Sequence, residues 1–193
     1  MKIVIIDYGS GNIKSVKFAL ERLGIDAELS NEIENIKSAD KIIFPGVGEA
    51  SSAMYELKKM RLNELIPNLK QPVLGICLGM QLMCQFSEES NTDCLNIFPI
   101  NIKRFSNKQK VPQIGWNNIE KLKSQLFENI KENEFVYFVH SYFAEISNYT
   151  IATTNYEVEF SAAINKDNFY ACQFHPEKSS NVGQTILKNF INL

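Results

Sequence analysis

The chain has 193 residues, 45% of them hydrophobic and 22% charged, which is enough apolar material for one sizeable core and cramped for two. A formal net charge of −2 provides no general attraction to nucleic acid or anionic membrane, and no apolar stretch approaches the roughly 20 residues of a membrane span. Four cysteines with no C-x-x-C pair, and two histidines far apart without ligand spacing, point away from a disulfide framework or a zinc site and towards reduced thiols in a cytoplasmic protein.

The N-terminal run MKIVIID predicts a first buried strand over Lys2 to Asp7, too short and lacking the cleavage pattern for a signal peptide. Helical spacing follows from Asn12 to Leu23, closed by Gly24, then a short strand over Asp26 to Leu29. A helical turn is expected between Asn31 and Ala39, and a third strand over Lys41 to Phe44, ending in Pro45-Gly46-Val47-Gly48. Ser51 to Met60 and Leu62 to Leu69 have helical spacing, with Pro67 weakening the second. Pro72 to Ile76 reads as a strand buried on both faces, and Leu78 to Phe86 as a helix. Strands alternating with helices predict an open, mostly parallel sheet flanked by helices.

Beyond Phe86 the texture becomes β-rich. Strand-like runs are expected over Ile97 to Phe105, Val111 to Ile119, Phe135 to Phe143, Thr150 to Tyr156, Phe160 to Asn165 and Phe169 to Phe174. Turn signals separate them around Asn107, at Asn148 and at Asn165 to Asn168. Ser179 to Leu193 closes the chain as an amphipathic helix. No linker or repeat interrupts it, so residues 1–193 read as a single domain.

In such a sheet, ligands bind beyond the carboxyl ends of the strands, which directs attention to the loops there. Cys77 lies where a strand must turn sharply into a helix. A helix N-terminus favours thiolate over thiol, and Gly75 and Gly79 on either side relieve the backbone, as in the G-x-S-x-G nucleophile elbow. Gly46 and Val47, if they face Cys77, can offer a backbone N–H which, with that of Leu78, would hold an oxyanion. In Gln173-Phe174-His175-Pro176-Glu177, His175 can serve as base and Glu177 can fix its tautomer. His140 lacks a neighbouring carboxylate and is the weaker candidate. Cys84, read within the helix after the elbow, Cys94 in a polar loop and Cys172 on a strand are not read as nucleophiles. The loop Asp7 to Asn12 is glycine-rich but lacks the third glycine of a dinucleotide loop.

GICLGMQ and FHPE resemble the nucleophile elbow and the His-x-Glu segment of the class I glutamine amidotransferases. IDYGSGN, FPGVG, GICLGMQLM, PQIGWNNI, YFVHSYF and QFHPEKS, in that order, resemble the imidazole glycerol phosphate synthase family of glutaminase subunits. The resemblance implies the class I glutamine amidotransferase fold and a glutamyl thioester on Cys77, hydrolysed by water that His175 activates. It implies an oxyanion site bordered by Gly46, Val47 and Leu78, with a peptide flip near Val47, and glutamine held by Gln81, Glu89, Ser141 and Tyr142. It further implies a (β/α)8-barrel cyclase partner in a 1:1 heterodimer, met by Asn12 and Lys178, which receives the ammonia; no metal or organic cofactor is implied. The sequence departs from the family at Cys94-Leu95-Asn96, where a Gly-Leu-Gly is common. That leaves open a paralogue feeding another synthase, such as one forming a sugar amidine. The other readings are a free-standing cysteine hydrolase and a non-catalytic binding subunit.

Overall fold

The computed structural model describes residues 1–106 and 108–193, so the turn signal at Asn107 lies outside the described residues. In chain order the elements are β1 (Ile3–Ile6), α1 (Ile13–Arg22), β2 (Ala27–Ser30), α2 (Ile33–Lys37), β3 (Lys41–Gly46), α3 (Ala50–Lys59), α4 (Leu62–Leu65), β4 (Val73–Cys77) and α5 (Leu78–Met83). The second half holds β5 (Cys84–Ser87), β6 (Thr92–Asp93), β7 (Phe98–Arg104), β8 (Gln113–Asn118), β9 (Phe135–His140), β10 (Tyr142–Ala144), β11 (Thr150–Asn155), β12 (Glu159–Lys166), β13 (Phe169–Cys172) and α6 (Ser180–Asn192).

One large sheet runs in the order β2-β1-β3-β4-β13-β12-β10-β7-β5-β6, with β11 on β12. From β2 to β13 the pairing is parallel. Of these strands, β1, β3 and β4 are buried along their whole length, with both faces covered, whereas the edge strand β2 exposes Glu28. Successive residues of β1 alternate between two cores: Val4 and Ile6 pack with α2, α3 and α5, whereas Ile3 and Ile5 pack with α1 and α6. This is the expected open α/β sheet flanked by helices, with the β-rich half continuing its far edge.

Three boundaries differ from the sequence reading. The helix expected over Leu78 to Phe86 stops at Met83, because Cys84 turns extended (ψ 179°) and pairs with Phe98 in β7. Its free carbonyls are capped by the returning chain: Leu95 N–H donates to Leu82 O at 2.8 Å and Ile97 N–H to Met83 O at 2.9 Å. Cys84 is therefore a strand residue. The Cys94-Leu95-Asn96 departure fits this return, since Asn96 takes φ 52°, a left-handed conformation that asparagine tolerates better than most residues. Second, the run from Phe135 to Phe143 is two strands. It breaks at Ser141, with β9 pairing β8 in a separate two-stranded sheet and β10 entering the main sheet beside β7. Third, Pro67 shortens the helix expected over Leu62 to Leu69, which ends at Leu65 and continues as a 3-10 turn over Ile66–Asn68. Among the described residues, no helix is long and apolar enough to cross a membrane.

Candidate active site

The carboxyl ends of β3, β4 and β13 meet in one place. Cys77 ends β4 and opens α5 with φ 54° and ψ −110°, a strained conformation that costs about 1–3 kcal/mol and persists only where the surroundings hold it. Gly79 does much of that holding. A Cβ there would stand 1.9 Å from the carbonyl oxygen of Phe44 in β3, so α5 can lie against β3 only because residue 79 has no side chain. Gly46 pairs with Cys77 across β3 and β4, which brings Val47 beside the elbow.

His175 follows β13, the strand next to β4. Its backbone is tied to β9 by donation from its N–H to Tyr137 O at 2.9 Å, and Ser179 Oγ donates to its carbonyl at 2.7 Å while accepting from Tyr137 N–H at 2.9 Å. His175 Nδ1 donates to Glu177 Oε1 at 2.8 Å, leaving Nε2 uncommitted in the cleft that the ring lines together with Cys77. Burial alone would discharge this imidazole. Its contacts with Cys77 and Glu177 outweigh burial and raise its pKa to about 10, so His175 is protonated at neutral pH.

A cleft of about 320 Å³ opens over this group and is lined by Val47, Cys77, Leu78, Gln81, Glu89, Ser141, Tyr142, His175 and Lys178 among others. All four residues expected to hold a substrate thus face one cavity with the thiol. Gln81 spends its amide nitrogen inside the protein, on Tyr142 O at 3.0 Å and Gln173 Oε1 at 2.9 Å. Glu89 accepts from Ala50 N–H at 2.8 Å through one oxygen, and burial raises its pKa. Val47 N–H is engaged elsewhere, donating to Ser10 Oγ at 2.8 Å.

Asn12 lies outside the cleft lining. It adopts the left-handed conformation at the start of α1 (φ 71°), makes no side-chain cap there, and instead donates from Nδ2 to Glu177 Oε1 at 2.6 Å. Lys178 is exposed at the cleft's edge. His140 is buried, and burial lowers its pKa to about 4, which leaves it neutral. The thiols of Cys84 and Cys172 are pushed up by burial, and that of Cys94 to about 12; none lines the cleft. Among the described residues, no group of three or more His, Cys, Asp or Glu is arranged to hold a metal ion. Sequence reasoning missed Ser10, Gln173 and Ser179, whose roles arise from contacts between distant segments. Only the placement of Gln173 two residues before His175 could have drawn attention to it.

A thiol on a strained elbow, an imidazole in the same cleft and a buried carboxylate behind it, on a parallel α/β sheet, are the groups that acyl transfer by a cysteine nucleophile requires. The glutamine amidotransferase class-I family model matches residues 4–193, and the chain belongs to that family. It is similar to imidazole glycerol phosphate synthase subunit HisH of Bacteroides fragilis (strain YCH46), with 56% identity covering the whole of both chains. The HisH subunit of Haemophilus influenzae is 50% identical, covering 99% of this chain and 97% of its own. In fold it resembles a putative GMP synthase component from Thermoplasma acidophilum (TM-score 0.76, 19% identity, covering 100% of this chain and 92% of that one). It also resembles a solved glutamine amidotransferase (TM-score 0.77, 16% identity, covering 98% and 97%).

Proposed function

We propose that this chain is the glutaminase subunit of an imidazole glycerol phosphate synthase, a single amidotransferase domain acting in the cytoplasm as a 1:1 heterodimer with a (β/α)8-barrel cyclase. The observation that carries the chemistry is that Cys77 and His175 line one cleft, with His175 Nδ1 bonded to the buried Glu177 carboxylate behind it. Cys77 attacks the side-chain carboxamide carbon of glutamine as thiolate. The C–N bond breaks as Nε2 of His175 delivers its proton to the leaving nitrogen, giving ammonia and a glutamyl thioester. His175, now neutral, takes a proton from water, which attacks the thioester; glutamate leaves and the thiolate–imidazolium pair is restored. Glu177 accepts from Nδ1–H and fixes the tautomer throughout.

Gln81, Glu89, Ser141 and Tyr142 line the part of the cleft in which the α-amino and α-carboxylate groups of glutamine would be held. Asn12 and Lys178 would meet the partner, which passes ammonia to a ribulose-phosphate-bearing substrate to yield imidazole glycerol phosphate and aminoimidazole carboxamide ribotide. The identity of 45–56% to HisH subunits over nearly the full chain favours this acceptor over a sugar-amidine synthase.

The test is glutamate release by the purified chain by itself, with the barrel subunit, and with that subunit plus its ribulose-phosphate substrate. Strong stimulation only in the full mixture is the expected result. Stimulation indifferent to that substrate would remove the histidine-pathway acceptor, and no glutamate under any condition would remove the glutaminase reading.

Leu78 N–H and that of Val47 would form the oxyanion hole. As the protein stands, Val47 N–H is engaged by the Ser10 hydroxyl, so the peptide must turn before it can stabilise a tetrahedral intermediate. Ser10→Ala removes that competing acceptor and should raise glutamate release by the chain without its partner severalfold. An unchanged or lower partner-free rate, with the partner-stimulated rate preserved, would show that Ser10 does not restrain Val47.

A further inference from the structure

The buried polar groups behind the cleft form a chain of contacts that the chemistry above does not use. Gln173 is fully buried, two residues before His175, and its N–H extends the sheet by donating to Ala162 O at 2.8 Å. Its side-chain Oε1 accepts from Gln81 Nε2 at 2.9 Å, while its Nε2 donates to Cys77 Sγ at 3.8 Å. Gln81 Nε2 also donates to Tyr142 O at 3.0 Å, and His140 Nδ1 donates to the same carbonyl at 2.7 Å.

The amide orientations along this chain are forced. A carbonyl oxygen only accepts, so the atom of Gln81 facing Tyr142 O must be its NH2. That same NH2 faces Gln173, which must therefore present its own carbonyl there. The remaining end of Gln173, its NH2, is then turned to the sulfur. A neutral thiol is a poor acceptor for a buried amide N–H, whereas a thiolate makes a charge-assisted bond with it. The helix after the elbow spans only six residues, so its dipole stabilises the thiolate less than a longer helix would.

We propose that Gln173 donates to the Cys77 sulfur, holding it as an oriented thiolate, and that Gln81 is the positioning residue that turns the Gln173 amide towards it. This rests on Cys77 being the nucleophile. It gives Gln81 a double task, since its nitrogen is committed to Tyr142 and Gln173 while its side chain also lines the cleft.

Alkylation of Cys77 by iodoacetamide reads the sulfur without glutamine, and Cys77→Ser supplies the blank for labelling at the other thiols. Gln173→Met keeps size and removes the donor; its labelling rate at pH 7 should fall about tenfold, the loss of one hydrogen bond to a charged group. At pH 9.5 it should come within about twofold of the parent, because a free thiol ionises there unaided. Gln173→Glu, which turns an anion towards the sulfur, should be slower still at pH 7. A Gln173→Met rate equal to the parent at pH 7, or slowed equally at both pH values, would overturn the assignment. Should the Gln173 variants fail to fold, Gln81→Leu leaves Gln173 present but unoriented and should show the same selective loss at pH 7; no loss would equally overturn it. Failure of the glutaminase reading shows separately, as absent glutamate release by a parent protein that alkylates normally.

Discussion

Cys77→Ala is expected to bring glutamate release down by at least about 10⁴-fold, to the level of the uncatalysed background, because no other group in the cleft can form the thioester. Fold and partner binding should survive. The substituted side chain lies in the cleft wall, only 6% exposed, and alanine keeps the Cβ that the backbone at φ 54° already accommodates. The cost is one sulfur's worth of packing, on the order of 1 kcal/mol. Glutamate assay in the stimulated complex, with thermal unfolding of the same preparation, separates chemistry from folding. A variant retaining a tenth of the parent rate would sink Cys77 as nucleophile.

Gly79→Ala should damage the site severely, and it should act through the fold. The added Cβ would meet backbone atoms of Phe44, 1.9 Å from the oxygen and 3.0 Å from the carbon. A strand interior cannot move aside as a side chain can, so α5 must lift off β3. That should cost about 3 kcal/mol or more, well above the roughly 1 kcal/mol of helix propensity gained by replacing glycine with alanine. Lifting α5 also displaces Leu78 and Cys77, so activity should fall with stability. Gly75→Ala is the control. Its nearest obstacle is the flexible end of Met83, at 2.8 Å, with Ala171 Cβ and Met80 N at 3.1 Å, so it should be tolerated better. Denaturant unfolding of both variants decides this: equal losses would show that the Phe44 contact does not govern the elbow.

The two glycines look equivalent in sequence, flanking the cysteine symmetrically, and only the packing separates them. The grouping of Cys77, His175 and Glu177 at one cleft was legible because each sits within a short segment whose residues announce a turn: Cys77 between glycines, His175 and Glu177 around a proline. The parallel half of the sheet was legible for a related reason, its inner strands β1, β3 and β4 being mostly apolar. What failed was whatever depended on a remote partner. Leu82, Met83 and Cys84 suit a helix locally, but Cys84 is claimed by β7 and the helix carbonyls by Leu95 and Ile97. The run from Phe135 to Phe143 alternates like one strand, yet its two parts are claimed by β8 and β7. Ser10, Asn12 and Gln173 act across 37, 165 and 96 positions of sequence respectively, and no local pattern encodes such contacts.

Cys77 and His175 leave the sheet from β4 and β13, adjacent parallel strands registered Gly75 to Ala171 and Ile76 to Cys172. The two segments therefore leave the sheet one strand spacing apart, about 4.8 Å in any β-sheet, and His175, three residues past the end of β13, is then pinned by its bond to Tyr137 O. Bending or twisting the sheet carries both groups together, as two marks on one ruler keep their distance when the ruler flexes. Thermal motion and mutations elsewhere in the domain will thus reach the chemistry mainly through side chains, and the thiol–imidazole distance should be among the last features of the site to drift.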